Sequence, residues 1–397
     1  MDRNRNRKTY APVGRAVSGP ARINDEKKSR RNGRKRILVF LSIIAVLILA
    51  AFLFYNLFYN RGRNGIGRVT RIGATLSQNL TPFGDKVVFY DGTTLHCVAA
   101  SGGNEWSYQI GMNADYDATE QRIVAWSGND LYILNERGRL IYNNKMNGSI
   151  QFGSAGKNYA AVLVGNDNNG VVTVINNDGM IVDNIEVENQ TLLDIGFFDA
   201  AMNSGTQTTE FMWMMGINTS GTVISTEMQT FQPGRLSTGK TSLGEHIAYR
   251  VYDENGILNV VTTREIMHFN YRGIESEAST LIYGYTMEDV RKFGNTLYQL
   301  LIPAQEQTGS ESINNIRLMY GSVDRMIHLP GSCISAKLGE RCIYGFSQNA
   351  VYACRYGTTN FLSFALPIHV TDVLGMLSNN RAVVASDSEI YIIELPM

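Results

Sequence analysis

From residue 94 to the end of the chain, one short pattern returns at an average spacing of about 42 residues: an apolar or aromatic run, a turn built on glycine, and a second alternating run. One copy reads Thr94-Leu95-His96-Cys97-Val98, turns at Ser101-Gly102-Gly103 and continues Asn104-Glu105-Trp106. Another reads Asp130-Leu131-Tyr132-Ile133-Leu134, turns through Arg137-Gly138 and continues Arg139-Leu140-Ile141-Tyr142. The form returns at Val172 to Ile175 with Asp178-Gly179, at Ile266 to Phe269 with Arg272-Gly273, and at Val351 to Cys354 with Tyr356-Gly357. A last copy, Ile390-Tyr391-Ile392-Ile393, has no second run after it. Spacing places two weaker copies near Thr222-Val223-Ile224 and Ile316-Arg317-Leu318. Alternation with a period of two, punctuated by pairs such as Asp91-Gly92 and Asn255-Gly256, is the mark of strands joined by tight turns. One segment competes: Thr286 to Leu301 carries helical spacing of Val290, Phe293, Leu297 and Leu300, while Gly294-Asn295 in its middle favours two strands and a turn.

An all-β repeat of this length suits four-stranded blades set around an axis, because solenoid repeats are shorter or helical. The copies predict an all-β fold, a β-propeller of about eight blades, with seven as the alternative. The truncated last unit needs an outer strand, and Arg68-Val69-Thr70-Arg71-Ile72 at the start of the domain is placed to supply it. Pairing the two chain ends in one blade covers two strand edges that would otherwise template aggregation.

Ahead of the repeats, residues 37–59 hold no charged side chain and only Ser42 and Asn56 as polar interruptions. About 23 residues in a helix cover the ~30 Å apolar thickness of a bilayer. The run exceeds a signal-peptide core and ends Tyr55-Asn56-Leu57-Phe58-Tyr59, with no small-residue cleavage site. Thirteen Lys and Arg against three Asp and Glu give the first 36 residues a net charge of +10, so the zero net charge of the whole chain conceals −10 beyond them. That bias keeps the N-terminus in the cytoplasm. The sequence therefore divides into a disordered basic cytoplasmic tail (1–36), a transmembrane signal-anchor helix (37–59), a linker (60–67) and an extracytoplasmic β-propeller (68–397). The tail reads as a topology determinant, with no nucleic-acid partner; membrane lipid contacts the 37–59 helix.

The repeat unit is similar to those of quinoprotein-like and YVTN/WD40-like propellers. The whole layout resembles an uncharacterised family of single-pass membrane-anchored propellers of Gram-positive bacteria. The likeness covers about residues 68–397, rests on strand-and-turn grammar, and implies a fold and a location without an activity. A quinoprotein would bind a quinone and calcium through channel residues; those positions find no match here, and the recurrent Trp of that repeat survives only near Trp106.

Candidate chemistry is sparse. Gly234-Arg235-Leu236-Ser237-Thr238-Gly239-Lys240-Thr241 fits G-x-x-x-x-G-K-[ST], but it follows Phe231-Gln232-Pro233 and leads into a strand-like run, where a phosphate loop opens a helix. It reads as a surface loop between blades. His96, His246, His268, His328 and His369 fall in different units and read as bonded strand or loop side chains. Asn166 to Gly170 is oxygen-rich but lacks the closing Glu of a calcium loop. Of Cys97, Cys333, Cys342 and Cys354, buried free thiols are the favoured reading. If Ser347-Gln348-Asn349 is the hairpin turn, Cys342 and Cys354 fall opposite each other and a disulfide between them is the alternative. No catalytic, cofactor or metal residue is assigned. The function expected is a non-enzymatic binding or scaffold module with a protein or cell-envelope partner. A quinoprotein-type dehydrogenase or an envelope sensor are the alternatives.

Overall fold

In a computed structural model the described residues are 41–52, 65–166, 169–188, 190–202, 208–220, 222–235, 237–304 and 312–396. They belong to two units, 1–61 and 62–397. In the first, residues 41–52 form an α-helix with Leu47, Ile48 and Leu49 exposed. No helix among the described residues is long and apolar enough to cross a membrane. The tail 1–36, both ends of the 37–59 span and residues 60–64 lie outside the described residues.

The described residues of the second unit build eight four-stranded antiparallel sheets. These are blades 1 to 8, spanning 80–109, 114–145, 150–186, 191–242, 248–281, 285–333, 335–365 and 372–394. In each, the first strand in sequence is innermost and meets the first strands of its neighbours. Blade 8 borrows its outer strand: Val69–Thr75 pairs antiparallel with Glu389–Glu394, Val69 opposite Ile393 and Arg71 opposite Tyr391. The ring is thus an eight-bladed β-propeller closed by the strand that the sequence offered for the purpose. Segment 286–301 resolves into two strands, Tyr285–Phe293 and Thr296–Pro303, joined at Gly294-Asn295.

Second strands such as Arg122–Ser127, Tyr159–Val164 and Cys342–Phe346 are buried almost throughout, because both faces of each sheet pack on neighbouring blades. That double burial is why they read as unbroken apolar runs. Outer strands such as Glu275–Leu281 face water and carry polar residues. The core therefore lies between blades. Phe211, Trp213, Leu258 and Val260 join blades 4 and 5. Ile72, Val87, Val383 and Ile390 seal blade 8 against blade 1.

The turns after the third strands share a device. Asn135, Asn176 and Asn270 each accept two backbone N–H groups of the following turn through Oδ1. Three residues later Gly138, Gly179 and Gly273 take positive φ. An Asn at this place mimics a backbone carbonyl and fixes the turn. One weak copy is corrected: the third strand of blade 4 is Ser225–Phe231, and Thr222 to Ile224 lie in the connection before it. Their apolar side chains imitate a strand without entering one.

Candidate functional site

Each end of the ring has its own construction. On one face, the connections leaving blades 1, 2, 3, 5 and 7 lie over the turns between their second and third strands. Gly111 N–H donates to Thr93 O, Met146 to Asn129, Val187 to Gly170, Ile282 to Arg264 and Leu366 to Asn349. We term this the connector face. The opposite face carries the turns between first and second strands and is the turn face.

On the connector face, blades 4 to 6 expose an arc of large apolar side chains. Val223 and Ile224 come from the second-to-third connection of blade 4, Ile247 from the link to blade 5, Leu281 from the end of blade 5's outer strand and Tyr283 from the link to blade 6. Leu281 is 68% exposed and Tyr283 77%. Between these two, Ile282 is fully buried and anchors the link, so its neighbours are held outward. Arg317 fixes the same link by donating to Leu281 O at 3.0 Å while its guanidinium grips Asp324 at 2.9 and 2.7 Å. Single exposed apolar residues are ordinary; here three adjacent blades each present them on the same face.

The channel is lined by the first strands, five of which carry a register shift in the same region, at 150/152, 192/194, 248/250, 287/289 and 373/375. Bulges re-aim side chains, and here two of the bulged residues reach the next blade. Tyr249 Oη accepts from Met287 N–H at 3.0 Å, and Glu288 meets Lys337 Nζ at 2.7 Å. Asp117 likewise accepts from Ala155 N–H, and Asp289 from Leu338 N–H. Asp194 is open to channel water yet hemmed in by protein. That partial desolvation, with the charge of Asp117 adding to it, raises its carboxyl to about 6. Burial also raises the carboxyl of Asp117.

The turn-face mouth is held by buried polar groups. Glu210 of blade 4 accepts the Lys157 and Asn158 N–H groups of the blade 3 turn. Arg122 of blade 2, 2% exposed, reaches Lys157 O from the other side, and its Nε and Nη1 have no hydrogen-bond partner among the described residues. Asn380 of blade 8 does for blade 7 what Glu210 does for blade 3, its Oδ1 accepting from Glu340 N–H at 2.9 Å. Two cavities open here. One of about 410 Å³ is lined by Glu120, Arg291, Lys292, Glu340, Asn379 and Asn380 among others. The other, of about 360 Å³, adjoins it at Glu120 and is lined by Asp199, Glu210 and Asp253.

The residues singled out in the sequence do not converge. Each histidine is held by a near neighbour: His96 by Asp91 and Ser107, His268 by Asn259 and Thr280, His328 by Asn315, His369 by Asn349, and His246 beside Glu265 at 3.7 Å. Asp91, His96 and Ser107 form a hydrogen-bonded row, but Asp91 also caps the turn at Thr93 and Thr94 and Ser107 bonds Asn104. The row ties the outer strands of blade 1 together. Gly234 to Thr241 is not a loop between blades: it is a turn within blade 4 followed by the outer strand Ser237–Ser242, with Leu236 outside the described residues. Gly239 is required there by packing, since a Cβ would lie 1.9 Å from Arg272 O. Lys240 pairs with Glu227 at 2.7 Å.

All four cysteines are buried free thiols. The hairpin turns on Gln348-Asn349 with Ser347 N–H bonded to Ala350 O, so Cys342 faces Arg355 and Cys354 faces Ile343. The Cys342–Cys354 bridge is thereby corrected, since a register one residue away puts the two sulfurs on opposite faces of the sheet. Asp167 and Asn168 of the oxygen-rich turn lie outside the described residues. Among the described residues no three His, Cys, Asp or Glu gather as metal ligands. What sequence reading missed is the mouth, whose residues come from blades far apart in the chain. The connector arc did have a signal, in the apolar pair Val223-Ile224 flanked by Gly and Ser.

No family model matches the chain, and no curated protein matches it. Solved structures do. The WD40 domain of SCAP from fission yeast superposes with a TM-score of 0.54 at 8% identity, over 83% of this chain and 98% of that one. BamB from Moraxella catarrhalis gives 0.47 at 10%, over 83% and 100%. What this chain shares with the first of these is the β-propeller fold.

Proposed function

We propose that this protein is a single-pass, membrane-anchored binding module of a Gram-positive cell envelope, with the propeller outside and a protein partner docked on the connector face. The observation that carries the reading is the arc Val223, Ile224, Ile247, Leu281 and Tyr283, large apolar side chains that are exposed among the described residues of blades 4 to 6. Supporting the anchor are the uncharged run 37–59 and the excess of Lys and Arg before it.

The test is in intact cells. A photo-crosslinking amino acid at Tyr283 or Ile247 is expected to capture one defined protein, and the same group at Thr241, on the outer strand of blade 4, is not. Tyr283→Asp should abolish capture from position 247. Equal capture from all three sites would remove the connector face as the docking surface. External protease is expected to degrade the propeller and spare the tail; protection of the propeller would reverse the orientation.

A further inference from the structure

Independently of the anchor and the connector arc, we infer that the rim of blade 7 joins a second copy of this chain edge to edge. The two outer strands Phe361–Ala365 pair antiparallel about a two-fold axis at Ser363, so that one blade continues into the other. A strand at a sheet edge offers unpaired N–H and C=O groups to any extended chain, and native proteins blunt such edges with bulges or charges. Of the eight outer strands among the described residues, seven are blunted in both ways. Their pairings with the third strands all contain a register shift. Each also carries a charged side chain, from Glu105 in blade 1 to Arg71 in blade 8.

Blade 7 has neither device. Its outer strand pairs with Ala350–Arg355 without a shift, from Ala350 opposite Ala365 to Cys354 opposite Phe361. No Lys, Arg, Asp or Glu stands between Arg355 and Asp372. The strand is held from both sides: Phe361 packs into the seam with blade 6 and Phe364 into the seam with blade 8. Its register decides which groups face out. Ser347 N–H bonds Ala350 O, and Leu366 N–H bonds Asn349 O. Alternation from these bonds turns the N–H and C=O groups of Leu362 and Phe364 toward blade 7 and those of Phe361, Ser363 and Ala365 outward.

A second copy suits that edge. With Ser363 opposite itself, Phe361 faces the second copy's Ala365, large against small. Leu362, 61% exposed, faces its Phe364. Cross-strand pairs of this kind stabilise a sheet, whereas like charges opposite one another destabilise it. Six of the other outer strands carry charge of a single sign, which self-pairing would set against itself. An oppositely charged strand of another protein would suit those six and gain nothing at blade 7. The uncharged edge therefore favours its own copy, in an isologous contact that closes at two.

The experiment is light scattering of the full-length protein in detergent, which should show a dimer that dissociates on dilution. Ser363 is exposed, so Ser363→Lys and Ser363→Glu leave the fold intact while setting like charges across the axis. Each should weaken self-association at least about tenfold. An equimolar mixture of the two variants should restore the dimer, because opposite charges then meet; misfolded variants would not be rescued. Asn144→Lys, on the exposed part of the blade 2 outer strand, should change nothing. In intact cells, a photo-crosslinking amino acid at Leu362 should give a covalent dimer of this chain. A monomeric parent protein, a dimer unchanged in both Ser363 variants, or a mixture that stays monomeric would each overturn the pairing. Capture of a different protein from position 362 would overturn the second copy as its occupant. These substitutions leave the connector face untouched, so either proposal can fail while the other stands.

Discussion

Gly138 is surrounded so closely that no side chain fits. Its φ is +70°, and a Cβ would lie 2.4 Å from the Trp106 ring, whose Nε1–H donates to Glu136 O in the same turn. The aromatic of blade 1 thus rests on the turn of blade 2, and Tyr142 under Gly179 repeats the contact one blade on. Gly138→Ala should cost about 1–3 kcal/mol from the left-handed backbone alone, with the displaced indole adding to it. Urea unfolding of the variant checks this, and a loss below half a kcal/mol would mean that the turn re-forms elsewhere. A second residue-scale expectation concerns Asp194. Its folded pKa of about 6 lies above the ordinary 3.8, so the folded state holds a proton that the unfolded state has released. Stability should therefore fall as pH rises from about 4 to about 6 and level off beyond. Asp117, Glu210 and Asp253, also raised chiefly by burial, steepen the same decline. Asp194→Asn should flatten it, measured as urea midpoint against pH; an unchanged slope would mean that channel water screens the group fully.

At the scale of elements, what could be read in advance depended on whether the signal was local. The Asp-Gly and Asn-Gly turns, the alternating runs and the strand-turn-strand at Gly294-Asn295 are local, and the structure has each of them. Register is not. Whether the blade 7 hairpin turns on three residues or on Gln348-Asn349 hangs on one hydrogen-bonded pair, Ser347 with Ala350, yet it decides which face every later residue takes. The composition of Cys342 to Cys354 fits either. In the observed register the thiols stay apart, and burial pushes Cys97 and Cys333 up to about 12, far from a reactive thiolate. A thiol reagent should modify none of the four in the native protein and all four after denaturation without reductant. Two unreactive thiols after denaturation would establish a bridge and refute this register. The turn-face mouth was illegible for another reason. Glu120, Arg291 and Asn380 are brought together only by ring closure, and no spacing along the chain encodes that meeting.

At the scale of the whole molecule, the ring depends on the strand that arrives first and pairs last. A propeller whose blades touch only their neighbours behaves, if opened, like a linear repeat array whose ends fray. Val69–Thr75 prevents this by covering the edge of Glu389–Glu394 and by placing Ile72 and Ala74 in the cluster that joins blades 8 and 1. Ile72 is 3% exposed, and Ile72→Ala removes about 2–5 kcal/mol of packing at such a site. Its position matters more than its size. Loss at the seam should release blades 8 and 1 before the others, whereas an equal loss in the middle, Val260→Ala between blades 4 and 5, should not open the ring. Hydrogen exchange under native conditions distinguishes the two cases. In Ile72→Ala, amides of Arg381–Ser386 and Lys86–Tyr90 should exchange faster while those of Ile257–Thr262 hold their rate. A uniform acceleration across all eight blades would show that the ring unfolds as one cooperative unit, in which the closing strand has no special standing.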